Sequence, residues 1–247
     1  MSYNTHKRSY KRHVDGVDRR KAYYIVLDTE TCNSFLNEDG SLNTDYSLVY
    51  DLGFAVVDKL GRVYEEHSFV IYEVFFAMQD VMQSAYYADK IENYLDDIEA
   101  GLRKVVTFNT ARRTLHKACK KYNVKAIMAH NARFDYKANK VTNTYLTKSA
   151  YRYFYPRGVE LWDTLKMARD TFGKEPSYRR WCAERGYMTN HKIPQVRLTA
   201  EILYRYITGD DSFIESHTGL EDVMIEKEIF KACMAKHKPM RKKLFKD

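Results

Sequence analysis

Proline is scarce in this chain, with four residues in 247, and glycine is modest at ten. So few of the two strongest backbone breakers exclude a proline-rich linker protein, a collagen-like repeat and a low-complexity chain. Cysteine is equally sparse. Cys32, Cys119, Cys182 and Cys233 are scattered without a C-x-x-C pair, which excludes a disulfide framework and gives zinc no ligand spacing. Cys119 and Cys233 fall within helical patterns and are expected to be small buried hydrophobes. No apolar run is long enough for a signal peptide or a membrane span, so a reduced, intracellular, cytoplasmic protein without a membrane partner is expected.

What the chain has is positive charge and rings. The formal net charge is +8, with Lys7, Arg8, Lys11, Arg12, Arg19, Arg20 and Lys21 crowded at the start and Lys236, Lys238, Arg241, Lys242, Lys243 and Lys246 at the finish. Such a surplus predicts attraction to polyanions, nucleic acid foremost; the plain alternative is a pair of solvated basic tails. With 45% hydrophobic residues in 247, one domain with decorations can bury a sizeable core.

Residues 1–20 are polar, basic and aperiodic and read as a flexible arm. Ala22 to Leu27 is a continuous β-prone run, expected as a strand covered on both faces. Leu48 to Asp58 and Arg62 to Tyr72 are further strand candidates, and the short turn at 58–61 predicts an antiparallel three-strand meander. From Phe75 to Ile98 apolar residues recur at three- and four-residue steps, which predicts helices whose aromatic stripe packs against a core.

A helix is expected over about Lys104 to Tyr122, a strand over Lys125 to Ala129, a helix over Phe134 to Lys148 and a strand over Gly158 to Trp162. Asp163 could cap a helix running to Thr171, and helices follow at about Ser177 to Arg185 and Arg197 to Thr208, the last closed by Gly209. Thr218-Gly219-Leu220-Glu221 reads as a capping box opening a long final helix. Strands first, then strands alternating with helices, describe an α/β mixed sheet with helices on its faces.

Three separated segments carry acids. Asp28 and Glu30 stand two apart at the end of the first strand, so both side chains leave the same face. Asp135 follows Asn131 and Phe134 at the start of a helix beyond a buried strand, with Phe134 expected to anchor the backbone. His217 lies just outside the final helix and Asp222 on its first turn, so the imidazole can swing over an ion that Asp222 holds. Each piece alone has a plain structural reading: a surface Asp-x-Glu, a carboxylate favoured by a helix dipole, a histidine before a helix. Together, four carboxylates gathered in a low-dielectric site would oppose one another's ionisation, and two divalent cations would cancel their charge.

In this order and spacing the segments resemble the DEDDh, or DnaQ-like, 3′→5′ exonucleases with the ribonuclease H-like fold. Asp28-Thr29-Glu30 matches the family's Asp-x-Glu, Asn131 through Asp135 its Asn-x-x-Phe-Asp, and His217 through Asp222 its His-x4-Asp; Trp162-Asp163-Thr164-Leu165 looks like an intervening family segment. The resemblance spans the expected exonuclease domain, 21–235, between the arm and a basic tail at 236–247. It departs from the family in an aromatic-rich helical insertion at 73–103. It implies a ribonuclease H-like sheet of a three-strand meander plus two parallel strands.

For chemistry it implies phosphodiester hydrolysis with two Mg²⁺ or Mn²⁺, about 3.5–4 Å apart, held by Asp28, Glu30, Asp135 and Asp222. His217 would activate the attacking water, Thr29 and Asn131 would contact or support the terminal nucleotide with Phe134, and nucleoside 5′-monophosphates would be released. Asp163 is expected to cap its helix outside the metal site, and His130 to order its loop. The expected partner is single-stranded or frayed nucleic acid, DNA ahead of RNA, with a polymerase or a proofreading or repair assembly as a further partner. Two alternatives stay open: an exoribonuclease or hydrolase of short or cyclic oligonucleotides, and a non-catalytic nucleic-acid-binding module.

Overall fold

The computed structural model describes residues 13–14, 16–32, 47–83, 85, 88–149 and 152–245. A two-residue ribbon, β1 (His13–Val14) and β2 (Val17–Asp18), leads into the meander β3 (Tyr23–Cys32), β4 (Leu48–Asp58) and β5 (Val63–Ile71). Most of the basic arm expected at 1–20 lies outside the described residues, but Val17 is buried at its end. The aromatic stretch is helical, as expected, with the described residues in short pieces: α1 (Tyr72–Phe75), α2 (Gln79–Met82) and α3 (Ile91–Glu99), with a 3₁₀ turn at Ala88–Lys90.

Lys104–Val106 forms β6, so the helix expected from Lys104 begins only at α4 (Phe108–Tyr122), where Thr107 caps the Thr110 amide. Two β-branched valines beside an exposed edge of β5 find strand partners there, and local pairing overrides helical period. Then follow β7 (Ala126–Ala129), α5 (Arg133–Thr147), β8 (Glu160–Asp163), α6 (Thr164–Asp170), α7 (Pro176–Glu184), α8 (Ala200–Thr208) and α9 (Gly219–Ala235).

The sheet order is β6-β5-β4-β3-β7-β8. β3, β4 and β5 pair antiparallel, β7 and β8 run parallel to β3, and β6 runs parallel to β5 as an additional strand at the far edge. β3 is buried on both faces, and its period of two sorts its side chains between two cores. Tyr23, Ile25 and Leu27 join the core beneath α4 and the aromatic insertion, while Tyr24 and Val26 join the core beneath α6 to α9. The basic run at the C terminus does not simply project: Asp163 N–H donates to Lys242 O and Leu244 N–H to Leu161 O, which lays residues 242–244 along the outer edge of β8. Among the described residues, no helix is long and apolar enough to cross a membrane.

Candidate metal centre and nucleic-acid cleft

The alternation that sorts the cores also sorts the motif. Asp28 and Glu30 continue the even-numbered face of β3 toward α9, while Thr29 turns toward α5. A register shift between Glu30 and Thr31 interrupts the ladder beside the acids, after which pairing with β4 resumes through Thr31 and Cys32. Because β7 runs parallel to β3, the turn after Ala129 emerges beside Asp28 and starts α5 there, and Asp135 reaches the strand end from its first turn. Thr29 Oγ1 donates to Asp135 Oδ1 at 2.9 Å and so orients that carboxylate, and Thr29 also lines the cleft.

α9 brings the third piece. Two glycines permit its approach: a Cβ on Gly53 of β4 would lie 2.3 Å from the Gly219 carbonyl carbon, and one on Gly219 would lie 2.7 Å from the Gly53 amide nitrogen. The Gly219 N–H donates to buried Asp51 Oδ2 at 2.9 Å. Asp51 in turn accepts from Tyr94 and pairs with Arg103, whose guanidinium also meets Asp97 and Glu221 and lies over the Tyr94 ring. The insertion therefore clamps the start of α9. Thr218 occupies the N-cap, but the expected capping box is not formed: its hydroxyl donates to Glu221 Oε2, and the helix amide is served by Asp51.

One ligand atom each of Asp28, Glu30 and Asp222 lies within 4.8 Å of the others, and the same holds for Glu215, His217 and Asp222. Asp135 joins them through its charge on Asp28. Burial first, then mutual repulsion, holds these acids toward the protonated form: Glu30 and Asp222 are pushed up to about 8, Asp135 to about 7, and Asp28 well above the usual range. Asp28 Oδ2 and Asp222 Oδ1 are buried with no hydrogen-bond partner. Crowded carboxylates with orphaned oxygens fit hard divalent cations, which take oxygen ligands and cancel the repulsion.

Two further acids belong to this cluster. Glu226 is 3% exposed, adds its charge to Asp28, accepts the His130 N–H through Oε1 at 2.9 Å, and leaves Oε2 without a partner. It stands four residues after Asp222 on α9, and two like charges at that helical spacing were the available signal. Glu215 is raised to about 7 by burial and Glu201, and its Oε2 lies 3.9 Å from His217 Nδ1; no motif pointed to it.

His217 is half-exposed at the cleft, with its pKa lowered by burial and by Lys90, so the imidazole is held neutral. Lys90, from the insertion, donates to the Ser216 carbonyl and fastens this loop. His217 and Asn131 both hold positive φ, 52° and 66°, a costly conformation for non-glycine residues that the surrounding contacts impose. His130 is locked by Thr164 Oγ1 and Leu198 O at 3.0 and 2.6 Å, and Asp163 accepts from Leu165 and Asn131 amides. Both order the loop, and the Asp163 charge also acts on Asp135. Phe134 is 43% exposed on the cleft wall and anchors nothing, because the helix start turns it away from the core.

The cleft has a volume of about 950 Å³. Its lining combines the acids with Arg169, Lys174, His191 and Arg197, contributed by α6 and residues 173–199. These cations lie in mid-chain, away from the basic runs at the two ends of the sequence.

No protein-family model matches the chain, and no curated protein matches it. Solved structures do resemble it in fold. The nuclease domain of 3′hExo, a DEDDh family member bound to rAMP, superposes with a TM-score of 0.57 at 11% identity over 92% of this chain and 99% of that one. A 3′-exonuclease recognising a histone mRNA stem-loop gives 0.56 at 11% over 90% and 85%. The zinc-bound E. coli ExoI–ssDNA complex gives 0.52 at 14% over 88% of this chain but 41% of the longer one. The chain thus has the ribonuclease H-like fold of the DEDDh exonucleases.

Proposed function

We propose that the protein is a metal-dependent 3′→5′ exonuclease that shortens single-stranded or frayed DNA from its 3′ end and releases nucleoside 5′-monophosphates. The observation that carries this reading is the convergence of Asp28, Glu30, Asp135 and Asp222 beside a neutral His217, in a cleft that Arg169, Lys174 and Arg197 also line. Asp28, Glu30, Asp135 and Asp222 would hold two Mg²⁺ or Mn²⁺, which when bound would supply charge stabilisation for the reacting phosphate and a more acidic water. Glu226 lies within the same field of charge and supports that site from beneath.

The chain's own residues do the rest. Neutral His217 is suited to accept a proton from water at near-neutral pH, and Glu215 beside it favours the imidazolium that results. Thr29 holds Asp135 in orientation. Arg169, Lys174 and Arg197 offer phosphate contacts that position the strand without reading its sequence. Phe134 gives a terminal base an exposed ring to stack on.

An exoribonuclease is the second reading, favoured by two structural neighbours whose complexes contain rAMP or an mRNA stem-loop. Incubating the protein with Mg²⁺ and 5′-labelled DNA or RNA single strands separates the two. A ladder receding from the 3′ end on DNA supports the first, and one confined to RNA supports the second. Asp28→Ala should abolish shortening while leaving the melting transition intact; a variant that still shortens the strand overturns the assignment of the site.

A further inference from the structure

A second cavity, of about 320 Å³, opens between α5 and the segment 152–157. Its rings are Tyr136, Tyr153, Phe154, Tyr155 and Phe245, and its cations are Lys140, Arg152 and Arg157; no acidic side chain lines it. None of these three cations pairs with a carboxylate among the described residues, whereas many of the chain's other Lys and Arg side chains do. Tyr153 is 52% exposed and Phe245 47%, and the Arg157 guanidinium lies 5.4 Å from the centre of the Tyr153 ring. Asn143, 2% exposed, lines the same cavity, and its Oδ1 is buried without a hydrogen-bond partner.

The walls are built rather than adventitious. Asn143 Nδ2 donates to the Arg152 carbonyl, Arg112 Nη1 to the Tyr153 carbonyl at 3.3 Å, and His116 holds the Phe154 carbonyl at 2.7 Å. Tyr136 stacks on Tyr155 with centroids 5.7 Å apart and meets Phe245 edge-on at 4.9 Å, which depends on the C-terminal residues lying along β8. Exposed ring faces beside unpaired cations, with an orphaned amide and no acid, match the needs of a nucleotide: a base to stack, base-edge donors and a phosphate to neutralise.

We propose that this cavity binds a nucleotide unit of single-stranded nucleic acid outside the acid cleft. The placement follows from α5 itself. Asp135 faces the acid cluster, and Tyr136, about 100° further round the helix, faces the second cavity, with Lys140 one turn beyond. One helix therefore carries both sites, and a strand whose 3′ end lies in the cleft has a neighbouring place to rest its body. The inference rests on the exonuclease reading for the strand's polarity, but the binding it asserts does not need turnover.

Binding is measured with the full chain in EDTA, using fluorescein-labelled DNA of three and of twelve nucleotides. Tyr153→Ala and Arg157→Ala should weaken the twelve-mer by about 5- to 100-fold each and leave the three-mer unchanged. Arg157→Ala should also lower the salt slope by about 0.7, and Arg157→Lys should restore the slope. A Tyr153→Trp variant should lose indole fluorescence on addition of the twelve-mer, as expected of a stacked ring. Unchanged affinity and slope in both alanine variants, with wild-type binding intact, overturn this site alone. Absence of any wild-type binding overturns the nuclease reading as well. Equal quenching by a free nucleoside 5′-monophosphate would make the cavity a mononucleotide site and overturn the strand assignment.

Discussion

At the scale of single residues, the site is a set of acids that the fold holds in disfavoured company. His217 can be tested apart from them: His217→Ala should lower the rate by about 10²–10⁴ and remove the acidic limb of the pH-rate profile, without changing the melting temperature. Rate against pH in Mg²⁺ measures it, and a retained limb removes His217 from proton transfer. Glu226 makes a sharper case because its two oxygens differ. Glu226→Gln keeps the acceptor for the His130 amide yet removes a charge from beside Asp28. It should stabilise the metal-free protein at pH 8 by about 1 kcal/mol, which is roughly 2–4 °C for a domain of this size, and weaken Mg²⁺ binding. A melting curve in EDTA and a Mg²⁺ titration check both, and a destabilised metal-free Gln variant would show that the charge is needed for the fold.

At the scale of elements, everything depends on how closely α9 lies on β4. A methyl group on Gly53 would meet the Gly219 backbone at 2.3 Å, and backbone cannot rotate away as a side chain can. Gly53→Ala should therefore cost at least about 1–3 kcal/mol by overpacking and pull Asp222 away from Asp28, reducing activity beyond the stability loss. Urea denaturation and the rate well below the melting point measure the two effects separately, and a wild-type rate in a folded Gly53→Ala protein would mean that α9 tolerates displacement.

The element scale also marks where sequence patterns were read well and where they were not. The Leu48–Asp58 strand and the Glu184 and Thr208 ends of α7 and α8 follow from apolar runs and breakers, which are local properties. β6 was hidden because three residues carry too little period and need β5 beside them, whereas the helices of the insertion follow from apolar residues at three- and four-residue steps. Thr218 has the sequence of a capping box, yet its hydroxyl donates to Glu221, and the first helix amide, Gly219, is served by Asp51, 168 residues away.

Across the whole molecule, the acid cluster couples stability to pH. Unfolded carboxylates lose their protons near pH 4, whereas folded Glu30 and Asp222 keep theirs until about pH 8 and Asp135 until about 7. In that window the native state binds more protons than the unfolded state, so the site's contribution to stability falls as pH rises. The metal-free protein should melt lower at about pH 8.5 than at about pH 5.5 through this cluster, and added Mg²⁺ should raise the melting temperature most at the higher pH. Differential scanning calorimetry with EDTA or Mg²⁺ at both values checks the sign. A Mg²⁺ effect independent of pH would mean that cations do not take the place of these protons.

The amino-acid sequence by itself determined the alternation of β3 that puts Asp28 and Glu30 on one side, the helical position of Asp135, and the His217-to-Asp222 spacing, because periods of 2 and 3.6 residues are local geometry. It did not determine that Glu226 and Glu215 would join those acids, that Thr29 would donate to Asp135, or that Arg169, Lys174 and Arg197 would line the same cleft. Those relations were decided by tertiary structure, through the parallel pairing of β7 with β3 and the glycine contact of α9 on β4. Electrostatic energy in a buried site depends on separations of a few ångströms between residues far apart in the chain, and such separations exist only once the layers have packed.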